Sequence, residues 1–143
     1  MPAALARSLA LCLATIALAS AATAQTDDAN LRRARELLRT TPLIDSHNDL
    51  PWVIREKGTP PRDVESYDIA GKGPFDTDIP RLRAGGLGAQ FWSVYVPSTM
   101  PAPEAVVATL EQIDIVHRML KRWPETFELA LSADDVERIF KRG

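Results

Sequence analysis

The stretch LIDSHNDLPW, Leu43 to Trp52, sets a histidine and an aspartate two residues apart, between a short apolar run and a proline. The segment PLIDSH reads as a short strand, and Pro51 fits the first turn of a helix that follows it. Side chains two apart on a strand point to the same face, so Asp45, His47 and Asp49 form a polar row at the strand's C-terminal end. That row admits two readings. An imidazole nitrogen and a carboxylate oxygen can each approach zinc to about 2.0–2.2 Å, which makes His47 and Asp49 half of a metal site whose other ligands come from other strands. Alternatively, Asp49 N-caps the turn at LPW and His47 bonds a neighbouring backbone group. Spacing alone leaves both open.

Outward from this motif the chain alternates between the two periodicities. Upstream, LRRARELLRT spaces Leu31, Ala34, Leu37 and Leu38 as an amphipathic helix, ended by Thr40, Thr41 and Pro42. Downstream, residues 57–75 carry Pro60, Pro61, Pro74, Gly58, Gly71 and Gly73, a density that indicates an excursion loop. DTDIPRLRAGGLG has the acidic start, early Pro80 and closing Gly85-Gly86 of a short helix. AQFWSVYVP is the clearest strand, with aromatic and β-branched residues from Phe91 to Val96 and both parities apolar, as in a parallel strand buried on both faces.

The clearest helix is APEAVVATLEQIDIVHRMLKRW, where Val106, Leu110, Ile113, Val116 or His117, and Leu120 recur at spacings of three and four. Trp123-Pro124 closes it. TFELALS is a third strand, and SADDVERIFKRG opens a last helix with Ser132 as N-cap and Asp135 three residues on. Alternating strands and helices are the mark of a parallel α/β fold. On a buried strand Phe91, Trp92 and Tyr95 are core residues before they are pocket residues, and packing is the simpler role for Trp52.

The ends and the composition bound the function. Across 143 residues, 45% hydrophobic and 25% charged, the net charge is −2, with no basic excess to attract nucleic acid. Residues 1–24 combine Arg7, the apolar run SLALCLATIALA and the small-residue site Ala22-Thr23-Ala24, which read together as a secretory signal peptide. The run is shorter than the roughly 20 apolar residues that span a bilayer. Cleavage leaves residues 25–143 as the mature chain, exported to the periplasm or the extracellular space. Cys12, the single cysteine, lies in the leader, so this chain relies on a packed core or a bound metal for stability, not on disulfides.

Several longer motifs stand in register: IDSHNDLPW at 44–52, DTDIPRL at 76–82, GGLGAQFWSVYVP at 85–97, TLEQIDIVHRM at 109–119 and WPETFELA at 123–130. In order and spacing they resemble the N-terminal part of the membrane or renal dipeptidases, the M19 family of zinc metallopeptidases. The resemblance implies a (β/α)₈ TIM-type barrel and a site holding two Zn²⁺ ions. It makes His47 and Asp49 ligands of one ion, with Asp45 and Asn48 as neighbours that orient them. The family's bridging glutamate and two later histidines have no counterpart here. Glu125 and Glu128 precede or begin the third strand, and His117 falls within a helix.

A barrel of this type takes about 250 residues, so residues 25–143 amount to its N-terminal portion. The expectation is a zinc-dependent dipeptidase of which this chain alone is inactive, with a dipeptide as substrate and membrane association and homo-oligomerisation left open. The alternatives are an exported non-catalytic binding protein derived from a hydrolase fold, and a related amidohydrolase acting on β-lactams or acylated amino acids.

Overall fold

The computed structural model describes residues 28–143 apart from Pro74. The signal peptide expected over residues 1–24 lies outside the described residues. Contacts divide the chain into two units, residues 1–40 and 41–143. In the first, residues 28–40 form helix α1. Its Arg32 pairs with Asp28 one turn earlier at 3.2 Å, and its Leu31 and Leu37 are exposed.

The second unit runs β1 (Leu43–Asn48), α2 (Leu50–Lys57), α3 (Ile79–Ala84), β2 (Leu87–Trp92), α4 (Ala102–Arg122) and α5 (Ala133–Arg142). The two strands pair in parallel, and the helical connection between them makes the unit mixed α/β. Its core is built on the helix side. Leu50 and Ile54 of α2, Ile79 of α3, and Ile115 and Met119 of α4 pack with Trp123 and with Val64 and Ile69 of the 58–78 connection. Two buried apolar anchors explain why so proline-rich a connection is held down. Guanidinium groups of α4 secure it further: Arg118 donates to the carbonyl of Arg62, and Arg122 to that of Val64.

The strand register slips twice. Leu43 lies opposite Leu87 but Ile44 opposite Ala89, so Gly88 is an extra residue on β2. Asp45 lies opposite Gln90 and Asn48 opposite Trp92, so β1 carries an extra residue across Ser46-His47 and restores the register. Irregularities of this kind re-aim side chains, and here the second falls on the histidine of interest. The first explains its glycine. A Cβ at residue 88 would stand 2.8 Å from the Pro42 Cβ and 3.1 Å from a Phe140 ring carbon, where β1's entry and α5 close on β2. Gly88→Ala should cost about 1–3 kcal/mol through overpacking, because the proline ring cannot swing away. A thermal melt checks this; an unchanged melting temperature would mean that the strand entry yields freely.

Three sequence expectations are corrected. β2 spans Leu87–Trp92 and ends before the SVYVP half of the expected AQFWSVYVP strand, and Phe91 is 66% exposed. Tyr95 is exposed as well, so the strand is not covered on both faces. TFELALS forms no third strand among the described residues, because a strand exists only where a neighbour completes its ladder, and here none does. Phe127 instead packs edge-on against Trp92 and Trp123, with ring centroids 5.9 and 6.5 Å away. On α4 the apolar stripe picked by spacing faces solvent: Val106 and Leu110 are each 60% exposed. The buried stripe is Ala108, Gln112, Ile115 and Met119. Gln112 is tolerated there because its carboxamide nitrogen donates to the carbonyls of Tyr95 and Ala108.

Other local readings hold. Asp78 caps α3 by accepting from the Arg81 N–H, Gly86 turns out of the helix at φ 69°, and Ser132 caps α5 by accepting from the Asp135 N–H. No helix among the described residues is long and apolar enough to cross a membrane.

Candidate metal centre at the end of the first strand

His47 and Asp49 meet where β1 gives way to α2. His47 Nε2 stands 3.1 Å from Asp49 Oδ1, and the two side chains are 65% and 47% exposed. Two donors bound to one tetrahedral zinc at about 2.0–2.2 Å lie about 3.3–3.6 Å from each other, so this hydrogen-bonding contact brings the pair close to the spacing of neighbouring ligands. The donor set, one imidazole nitrogen and one carboxylate oxygen, also suits zinc.

What frees Asp49 for such a role is the local backbone. Asp49 occupies the N-cap position of α2 with φ −89° and ψ 19°, yet its carboxylate makes no capping hydrogen bond. These angles fall in the sparsely populated bridge region. The capping is done one residue earlier, where Asn48 Oδ1 accepts from the Leu50 N–H at 3.0 Å. Pro51 follows within the first turn and needs no acceptor of its own. The bland reading, in which Asp49 is spent as the cap, therefore does not describe this turn.

Neither Asp45 nor Asn48 hydrogen-bonds the imidazole. Asp45 Oδ1 accepts from the His47 N–H at 3.1 Å, folding the strand end back on itself. The Asn48 carboxamide nitrogen donates to Thr77 Oγ1 at 3.2 Å and, at 3.4 Å, to Gln90 Oε1 on β2. Gln90 Nε2 donates in turn to the Asp45 carbonyl at 3.3 Å. Sequence reasoning passed over Thr77 and Gln90. The available signal was a single glutamine inside an otherwise apolar strand, where an amide needs partners.

Beside this cluster, Trp52 in the first turn of α2 meets Tyr95, just beyond β2, edge-to-face at 5.5 Å. The Arg55 guanidinium lies 5.1 Å from the centre of the Trp52 ring. Arg55 also reaches Glu111 at 2.9 Å, joining α2 to α4 beneath the aromatic pair.

The remaining candidates stand elsewhere. His117 is exposed on α4, and Glu125 is exposed in the turn after it. Glu128 is engaged by Arg142 and Arg138, whose hydrogen bonds hold its carboxyl below the usual carboxylate range. Among the described residues no group of three or more metal-binding side chains converges, so His47 and Asp49 stand as a pair.

Known proteins resemble the chain along nearly all of its described length. Residues 31–143 match the family described as Membrane dipeptidase (Peptidase family M19). A dipeptidase from Aspergillus terreus, ataJ, is 42% identical over 121 residues, which cover 79% of this chain and 29% of that protein. A dipeptidase from Clonostachys rogersoniana, verJ, is 37% identical over 126 residues, covering 81% of this chain and 32% of that protein. The chain thus spans about a third or less of the length of these relatives.

Proposed function

Because the chain belongs to the membrane dipeptidase family, peptidase family M19, we propose that it forms the N-terminal part of an exported, zinc-dependent dipeptidase. In this reading His47 and Asp49 are ligands of one of the enzyme's metal ions. The observation that carries it is the 3.1 Å approach of His47 Nε2 to Asp49 Oδ1, by a carboxylate that its own helix does not use as a cap.

The parallel pairing of β1 and β2 through a helical connection supports the first part of a (β/α)₈ barrel. Both strands carry exposed apolar residues, Leu43 and Ile44 on β1 and Phe91 on β2, so apolar strand surface is left uncovered in this chain. His47 and Asp49 stand at the C-terminal end of β1, the end at which such barrels place their chemistry.

A metal bound there supplies Lewis acidity and an activated water for cleavage of the amide bond. The chain's own contribution is to hold the ion. His47 would offer an imidazole nitrogen and Asp49 a carboxylate oxygen, Asn48 takes over the capping of α2, and Asp45 fixes the His47 backbone. Two ligands make a weak site, so residues 25–143 by themselves are catalytically silent, and turnover belongs to the longer protein. The leader at residues 1–24 sends that protein to the periplasm or the extracellular space.

The test compares the 143-residue chain with the protein made from the full open reading frame, each supplied with Zn²⁺ and a panel of dipeptides and acylated amino acids. Amino-acid release from dipeptides by the longer protein, abolished by a chelator and by His47→Ala, is the expected result. Chelator-resistant release, or full activity in His47→Ala, would overturn the assignment.

A further inference from the structure

Gln90 touches neither His47 nor Asp49, yet its carboxamide joins the two sides of the strand irregularity that holds the histidine. Its nitrogen donates to the Asp45 carbonyl at 3.3 Å, before the extra residue, and its oxygen accepts from the Asn48 carboxamide at 3.4 Å, after it. The same nitrogen also donates to the Phe91 carbonyl at 3.2 Å. Without these bonds β1 has a ready alternative, since a parallel strand can shed a one-residue irregularity by sliding into regular register. Regular register would reverse the parity of the residues beyond Asp45, among them His47 and Asn48.

Asn48 in turn commits its amide to three partners: Gln90, Thr77 Oγ1 and, through its oxygen, the Leu50 N–H. A polar bracket therefore runs from β2 through Asn48 to the first turn of α2. The His47 and Asp49 side chains take no part in it.

Resting on the metal-site reading above, we infer that Gln90 is a positioning residue for the His47–Asp49 pair. It holds the irregular end of β1 in the one register that keeps the two donors on a common ion and Asp49 free of capping. Its effect is exerted through Asp45 and Asn48, so it bears on metal affinity more than on the stability of the fold. The core residues Ile54, Ile115 and Met119 belong to α2 and α4, and none of the buried core residues lies on β1.

The experiment is a Co²⁺ titration of the 143-residue protein in competition with a chromophoric chelator, paired with a thermal melt of the metal-free protein. Gln90→Ala should weaken Co²⁺ binding by about tenfold, the lower end of the losses seen when outer partners of a metal site are removed. The metal-free melting temperature should stay within a few degrees of wild type. Gln90→Glu, which keeps an acceptor for Asn48 and loses the donor to Asp45, should recover part of the affinity.

His47→Ala serves as the reference. If it removes binding while Gln90→Ala leaves the affinity unchanged, Gln90 has no positioning role although the metal site stands. A loss of affinity in Gln90→Ala that merely follows a large drop in melting temperature, with no recovery in Gln90→Glu, likewise overturns the inference. If His47→Ala itself leaves binding unchanged, the metal-site reading fails, and this inference with it.

Discussion

Replacing Asp78 with alanine is expected to lower the melting temperature by roughly ten degrees or more, because it strips a fully buried carboxylate from three donors at once. The side chain is 0% exposed. Its Oδ1 accepts from the Arg81 N–H at 2.9 Å, and its Oδ2 accepts from Arg81 Nε at 2.8 Å and from the Gly73 N–H at 3.1 Å. One carboxylate thus caps α3, clasps the side chain that follows, and closes the end of the long connection. Removing it leaves two backbone N–H groups and a guanidinium to find new partners, which is the expensive way to lose a hydrogen bond.

The same contacts give the prediction a pH signature. The hydrogen bond from the Arg81 side chain, aided by the two backbone donors, holds the Asp78 carboxyl below its ordinary value despite the opposing effect of burial. A depressed folded-state pKa means that the unfolded chain takes up the proton first. The stabilisation is therefore complete above the unfolded value of about 3.9 and is lost as pH falls through the lower folded value. Asp78→Asn keeps a capping oxygen but loses the charge, so the gap in melting temperature between it and the wild type should narrow below about pH 4. Glu128 and Asp135, also depressed by arginine partners, titrate alike in both proteins and drop out of the difference. A gap that stays constant from pH 7 to pH 3 would mean that the Asp78 charge contributes nothing.

Asp78 also shows which parts of this molecule local sequence rules can reach. The Ser132 cap of α5 was legible because a capping side chain and its N–H lie three residues apart, and the acidic start, Pro80 and Gly85-Gly86 of α3 and the strand-then-helix grammar around Leu43–Trp52 were legible because they too are local. The buried face of α4 was not. Two apolar stripes run along that helix, and only the location of α2 and the 58–78 connection decides that Ile115 and Met119 turn inward while Val106 and Leu110 stay out. TFELALS had the composition of a strand, but pairing is a property of two segments, and Phe127 found Trp92 and Trp123 instead.

The site divides in the same way. The H-x-D spacing made His47 and Asp49 candidates from within ten residues of chain, but the choice between ligand and cap rested on the longer motifs around it. Gln90 and Thr77 lie some 42 and 29 residues from Asn48 in sequence, and no local pattern announces that the three share hydrogen bonds. Sequence spacing also implied that Asp45 joins the row of donors. The bond from the His47 N–H to Asp45 Oδ1, together with the extra residue in β1, shows why counting by twos does not carry across that point.

Asp49→Ala is expected to weaken zinc binding by roughly a hundredfold or more while leaving the metal-free protein almost as stable as before. The two halves of that expectation come from different observations. Affinity should fall because Asp49 Oδ1 is the one carboxylate oxygen held against His47 Nε2, at 3.1 Å, and the imidazole alone is a poor chelator. Stability should hold because Asp49 occupies the N-cap position of α2 without capping it. A capping aspartate costs about 1 kcal/mol when cut back to alanine, whereas an exposed side chain without such duty usually costs under about 0.5 kcal/mol.

Asn48→Ala should show the reverse emphasis. It removes the acceptor of the Leu50 N–H and the donor to Thr77 and Gln90, so the metal-free protein should melt lower even where no zinc is present. Measuring both variants by calorimetry without metal, and by competitive zinc titration, separates cap from ligand on neighbouring residues. A destabilised metal-free Asp49→Ala with unchanged zinc affinity would return Asp49 to the role of an ordinary helix cap. It would also leave His47 without a partner for the ion.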